Sequence, residues 1–73
     1  MKLLLYGTRF CHLCKQAEEV LYAAGVTAEY TDIAEDEALF ERYGMRIPVV
    51  RRVDNGAELG WPFDVAALER LTA

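Results

Sequence analysis

Leu3-Leu4-Leu5-Tyr6 is an unbroken apolar run, the pattern of a strand covered on both faces, and Gly7 ends it. From His12 to Ala24 the apolar residues fall at Leu13, Ala17, Val20, Leu21 and Ala24, a helical stripe with Lys15, Glu18 and Glu19 mostly off it. Gly25 is a natural stop. Ala28 to Asp32 alternates weakly and carries the Tyr and Thr of a strand, so the first unit reads strand–helix–strand, right-handed if the strands are parallel. A short helix is expected over about residues 34–43, opened by Asp32 or Asp36 and closed by Gly44.

Ile47-Pro48-Val49-Val50 opens a further strand. Asp54-Asn55-Gly56-Ala57 is the strongest turn signal, because Asn-Gly tolerates positive φ at both centres of a type I′ hairpin. Residues 48–53 should therefore pair antiparallel with residues 57–60. Asp64 can cap a last helix whose apolar face is Val65, Leu68 and Leu71. The expected order is β-α-β-α-β-β-α, an α/β chain in which residues 1–73 form one domain.

Composition narrows the function classes. Hydrophobic residues at 53% against 27% charged mark a globular chain, although 73 residues bury only about 60% of the surface the unfolded chain exposes. The net charge of −4, with Glu29, Asp32, Glu35, Asp36, Glu37 and Glu41 close together, disfavours nucleic acid and anionic membrane as partners. That acid run reads as a solvated face. Arg51-Arg52, two cations in an apolar strand, are expected to point one to solvent and one across an edge. No apolar segment reaches membrane-spanning length, and two cysteines this close together are no framework for a secreted domain. The expected setting is the reducing cytoplasm.

Those two cysteines carry the chemistry. Cys11-His12-Leu13-Cys14 lies where the first strand gives way through a short loop to the first helix. A cysteine there feels unpaired backbone N–H groups and the positive end of the helix dipole, both of which favour thiolate over thiol. Lowering its pKa from about 8.5 to about 7 corresponds to roughly 2 kcal/mol and makes about half of it reactive at neutral pH. Cys14, about one turn on, is in reach to resolve a mixed disulfide and is expected to be the less exposed, higher-pKa thiol. Arg9 and Lys15 add positive potential if they are not simply solvated.

With these motifs the chain resembles the glutaredoxins, the smallest form of the thioredoxin fold, and more narrowly the short glutaredoxin-like proteins. The resemblance covers the full length and rests on three segments: Tyr6 through Cys14, Ile47-Pro48, and Gly60 through Asp64. It implies a four-stranded mixed sheet of order 2-1-3-4 with helices on both faces. It also implies a thiol–disulfide oxidoreductase in which Cys11 is the nucleophile and Cys14 the resolving thiol. Pro48 is then cis, and Ile47 offers its backbone to an extended substrate by strand addition. The third strand's start, the first strand's end and the fourth strand's end would meet at one rim.

The chain departs from the pattern at three places. Glutaredoxins that use glutathione usually carry a lysine three residues before the first cysteine; here that position is Thr8, and the cation is Arg9. The glycine pair expected before the last helix is Gly60-Trp61, followed by Pro62, Phe63 and Asp64, so a large ring and a missing N–H donor stand where a γ-glutamyl group would bind. Trp61 is either core filling beneath the last helix or a ledge beside the disulfide. His12 occupies the place of the usual proline and either tunes Cys11 or is exposed and indifferent.

The candidate substrate-binding residues are thus Arg9, His12, Ile47, Pro48, Trp61 and Asp64. No tightly bound cofactor or metal is expected. Glutathione is a candidate co-substrate, a disulfide-containing protein or small thiol the expected partner, and a thioredoxin-type reductase an alternative electron source. Two other classes compete. One is a thioredoxin-fold binding module that recruits a protein at the Ile47-Pro48 edge. The other is a dimer holding zinc or an iron–sulfur cluster through Cys11 and Cys14, since one chain cannot supply four ligands.

Overall fold

The computed structural model describes residues 2–73. The elements are β1 (Leu3–Gly7), α1 (His12–Ala23), β2 (Glu29–Asp32), a 3₁₀ turn (Ile33–Glu35), α2 (Glu37–Tyr43), β3 (Val49–Arg52), β4 (Glu58–Gly60) and α3 (Val65–Thr72). The strands form one mixed sheet of order β2-β1-β3-β4. β1 runs parallel to β2 and antiparallel to β3, and β3 is antiparallel to β4. This is the minimal thioredoxin fold that the sequence resembles.

Pleating divides the sheet's side chains between two cores. Leu3, Leu5 and Val50 face Ala17 and Leu21 of α1 and Leu68 of α3, with Phe63 closing the end. Tyr6 and Val49 face the other way, onto Ile33 and Tyr43. The continuous apolar run of β1 is explained by this position: an inner strand covered by helices on both sides has no solvent face.

The expected second helix is two pieces. Asp32 accepts a hydrogen bond from the Ala34 N–H (2.9 Å) and starts the 3₁₀ turn, while Asp36 accepts from Ala38 and Leu39 (3.0 and 3.1 Å) and starts α2. Both candidate caps are therefore used. Asp36→Ala should cost about 1 kcal/mol, the usual value of an N-cap, and chemical denaturation against wild type would measure it.

The hairpin differs from the expected type I′ turn. Four residues, Val53 to Gly56, separate Arg52 from Ala57, whose carbonyl accepts from the Arg52 N–H (2.8 Å). Within this turn only Gly56 has positive φ (73°). Asn55 stays outside the left-handed region because its side-chain oxygen accepts from the Ala57 N–H (2.9 Å) and turns the chain by that route.

The arginine pair also differs from expectation, because β3 is an inner strand and its alternate residues face opposite cores. Arg52 forks onto Asp54 (3.0 and 2.8 Å) and donates to the Leu71 carbonyl (2.7 Å), fastening β3 to the end of α3. Arg51 lies on the tyrosine side opposite Glu58, and its buried Nε has no hydrogen-bond partner among the described residues. The acid run is the solvated face expected of it, apart from Asp32, which is half-buried.

Candidate active site

Strand register builds the site. Tyr6 is opposite Val49 and Val49 is opposite Gly60, so the end of β1, the start of β3 and the end of β4 share one rim of the sheet. The β1–α1 loop rises from that rim and delivers Cys11 as the N-cap of α1. Sulfur takes the role that a serine or aspartate oxygen normally has: the Cys14 N–H donates to Cys11 Sγ at 3.1 Å. Cys11 is half-exposed and Cys14 is buried at 4%. The two form a disulfide with Cα atoms 5.1 Å apart, inside the ordinary range for such a bond.

Gly7 determines how closely the pair approaches the sheet. A Cβ added there would lie 2.7 Å from Cys14 Sγ and 3.3 Å from a Tyr30 ring carbon. The glycine read from sequence as a strand end is thus also the seat of the buried Cys14 sulfur. Only packing shows this, since a glycine after a strand is unremarkable as sequence.

A cleft of about 520 Å³ opens beside the disulfide on the β2 side. Arg9, His12 and both cysteines line it, together with Phe10, Lys15, Glu18 and Tyr30. Phe10 is 97% exposed, an apolar ring held in solvent beside Cys11. Phe10, Glu18 and Tyr30 were not expected there. The placement of Phe10 next to Cys11 is the one signal the sequence carried for them. Burial, with neighbouring Asp32 and Glu18, pushes the Tyr30 hydroxyl above its usual pKa, so that it stays a neutral donor in the cleft.

The remaining predicted site residues lie outside that cleft. The Ile47–Pro48 peptide is cis, Pro48 is fully buried, and Ile47 packs its side chain on the tyrosine core. The Ile47 N–H already donates to the Tyr43 carbonyl (3.2 Å), leaving the Ile47 carbonyl as the backbone group able to meet a substrate. The Pro48 carbonyl accepts from the Trp61 N–H (3.0 Å), which ties the β4 end to the β3 start. Trp61 packs against the first core, edge-on to Phe63 (5.1 Å, 80°). With Asp64 it borders a separate groove of about 610 Å³ against Gln16, Glu19 and Val20 of α1. Asp64 caps α3 by accepting from the Ala67 N–H (2.8 Å). Among the described residues, no helix is long and apolar enough to cross a membrane.

Solved structures with this fold include protein XcR50 from X. campestris. Its crystal structure is 42% identical, covers 96% of this chain and 93% of that one, and superposes with a TM-score of 0.87. Protein Ne2328 from Nitrosomonas europaea is 27% identical over 96% of this chain and 88% of its own, with a TM-score of 0.74. Thioredoxin 1 from Thermosipho africanus TCF52B, 17% identical over 99% and 94% of the two chains, shares the fold at a TM-score of 0.60. No curated protein matches the chain. The "Glutaredoxin-like domain (DUF836)" family model matches residues 2–72, and with the Cys11–Cys14 pair seated at the rim of a thioredoxin-type sheet, the chain belongs to that glutaredoxin-like family.

Proposed function

We propose that the protein is a thiol–disulfide oxidoreductase acting through Cys11 and Cys14. The observation that carries this reading is the asymmetry of the pair: Cys11 is half-exposed at a helix N-terminus with an N–H aimed at its sulfur, while Cys14 is buried behind it. In the reduced protein that N–H and the helix dipole favour the Cys11 thiolate. Cys11 attacks one sulfur of a substrate disulfide RS–SR′; the S–S bond breaks, a Cys11–SR bond forms, and R′S⁻ leaves. Cys14, having given its proton to solvent, then attacks Cys11 Sγ, forms the Cys11–Cys14 bond and expels RS⁻. Two electrons have passed to the substrate, and an external thiol reductant restores the dithiol.

Trapping tests the assignment. Cys14→Ser should accumulate a mixed disulfide at Cys11 by mass spectrometry, whereas Cys11→Ser should accumulate none. Failure of Cys14→Ser to trap any disulfide substrate removes the reading.

Glutathione serves poorly as reductant in this proposal. Trp61 is packed on the first core where a close backbone approach would be needed, Pro62 lacks an N–H, and the Asp64 carboxylate is engaged as a cap. Turnover should be weak with glutathione and faster with a thioredoxin-reductase system; robust glutathione turnover would overturn this view of Trp61. The setting that suits such a dithiol is the reducing cytoplasm.

A further inference from the structure

We infer that Glu58, on the edge strand β4 and outside the cleft at Cys11, is a positioning residue: through Arg46 it fixes the backbone at Ile47 against which an extended peptide disulfide lies. The inference rests on the thiol–disulfide exchange proposed above and adds the device by which the protein favours peptide over small disulfides.

The stretch before Pro48 has few other anchors. Met45 is fully exposed, and the N–H groups of Arg46 and Ile47 converge on a single acceptor, the Tyr43 carbonyl (2.8 and 3.2 Å). A carbonyl shared by two donors ties the stretch to α2 and to nothing in the sheet. Ile47 rests its side chain on the tyrosine core. From residue 44 to residue 47, the one side-chain hydrogen bond among the described residues runs from Arg46 Nη2 to Glu58 Oε1, at 3.3 Å.

An ordinary surface ion pair would hold this stretch poorly, because two mobile side chains in water gain little by meeting. Glu58 is different. Opposite Arg51 in the register, it lies on the tyrosine side of the sheet, and its other oxygen accepts from the hydroxyl of the completely buried Tyr43. The carboxylate is therefore immobilised before Arg46 reaches it. The Arg46 guanidinium carbon also lies 5.4 Å from the centre of the Tyr43 ring, so carboxylate and ring hold it from two sides. Arg42 approaches the same ring from α2 and Arg51 faces Glu58 from β3, but among the described residues only Arg46 pairs with this carboxylate. One acidic side chain thus joins β4, the end of α2 and the residue next to Ile47. A substrate that adds a strand at Ile47 needs this backbone held in place, and ordering it in advance lowers the cost of binding. A small disulfide has no backbone to pair and gains nothing from it.

The test compares reduced wild type, Glu58→Gln, Arg46→Met and the double variant by stopped flow with two uncharged reagents, so that the altered charge at residues 46 and 58 is not what is read. One is 4,4′-dithiodipyridine; the other is an uncharged, extended peptide whose cysteine carries a thiopyridyl disulfide. In the peptide, the Cys11 thiolate attacks the peptide sulfur, the S–S bond breaks, a Cys11–peptide disulfide forms, and the thiopyridyl thiolate leaves and takes a proton from solvent. The released thiopyridone is the signal for both reagents.

With the peptide, the concentration for half-maximal rate should rise about three- to tenfold in each single variant, while the limiting rate stays within about twofold of wild type. With 4,4′-dithiodipyridine all variants should match wild type within about twofold. The double variant should be no worse than the worse single one, since both substitutions cut the same tether. Circular dichroism checks folding, and Arg46→Met, which leaves the Tyr43–Glu58 bond intact, keeps the test decisive if Glu58→Gln unfolds. An unchanged half-maximal concentration in folded Arg46→Met, equal loss with both reagents, strictly additive losses in the double variant, or a wild type that uses the peptide no better than the small reagent overturns the inference and leaves thiol exchange standing. A Cys11 that reacts with 4,4′-dithiodipyridine no faster than free cysteine removes thiol exchange as well.

Discussion

Gly7→Val should slow resolution of a mixed disulfide by about a hundredfold, the loss expected when reacting atoms are displaced by about 1 Å. The side chain would begin with a Cβ 2.7 Å from Cys14 Sγ and 3.3 Å from Cys14 Cβ, well inside van der Waals contact, and valine adds two further methyls. Cys14 has little room to retreat. It lies on the same face of α1 as Ala17 and Leu21, both packed into the first core. The strain must then be released by lifting the first turn of α1 off the sheet, which separates the buried sulfur from its partner.

Cys11 lies on the exposed side of that turn and keeps its access to solvent. Its alkylation rate should therefore stay within about threefold of wild type, in the range of a modest change in thiolate fraction. Stopped-flow measurement of product release after mixed-disulfide formation, beside alkylation kinetics and circular dichroism, separates the two steps. Resolution at the wild-type rate in a folded Gly7→Val protein would show that the Gly7–Cys14 approach is unimportant to the chemistry. Gly7→Ala, with the same first clash and no further bulk, should fall between.

This seat of Cys14 marks where sequence stops being informative. Periodicity located every helix and strand to within a few residues, because each element buries one face or, for β1, both. The CxxC motif declared itself for a similarly local reason: a strand end, a loop and a helix start are neighbours in the chain, and the field at a helix N-terminus needs no tertiary partner. What could not be read were relations across the sheet. Tyr30 is close to Cys14 only because β2 is parallel to β1 in the register Leu5 to Tyr30. The Ile47 N–H, by contrast, is engaged locally, by the Tyr43 carbonyl at the end of α2, in a turn with no sequence signal of its own. Asn55-Gly56 was read correctly as a turn and incorrectly as type I′, since the side-chain hydrogen bond to Ala57 competes with the left-handed backbone and wins. The fate of Arg51 and Arg52 required knowing that their strand is covered on both faces.

Tyr43 is another residue whose role appears only in three dimensions, and replacing it by phenylalanine should cost about 1.5–3 kcal/mol, the value of a hydrogen bond to a charged group. Its ring is completely buried and stacks on Tyr6 (4.6 Å between centroids, 29°), and its hydroxyl donates to Glu58 Oε2. Phenylalanine keeps the ring, the stack and the core volume, so the loss isolates the hydroxyl. Glu58 is then left with Arg46 alone, at 3.3 Å, for a side chain only 19% exposed.

The same substitution should change the pH dependence of stability in a definite direction. The Tyr43 hydrogen bond, seconded by Arg46 and opposed by burial, holds the Glu58 carboxyl below its usual range. A depressed carboxylate contributes stability that is present above the unfolded-state pKa and is lost as pH falls through the folded one. Burial, followed by the bond to Glu58, pushes the Tyr43 hydroxyl up. That contribution is full below the ordinary tyrosine pKa and is lost as pH rises through the folded value. The stability difference between wild type and Tyr43→Phe should therefore be greatest near neutrality and shrink toward both extremes. Urea denaturation at acid, neutral and alkaline pH measures it, and a difference independent of pH would mean that the Tyr43–Glu58 bond contributes nothing. Glu58→Gln completes a double-mutant cycle. A coupling of about 1 kcal/mol or more between the two positions at neutral pH, vanishing in acid, identifies the bonded pair as the source.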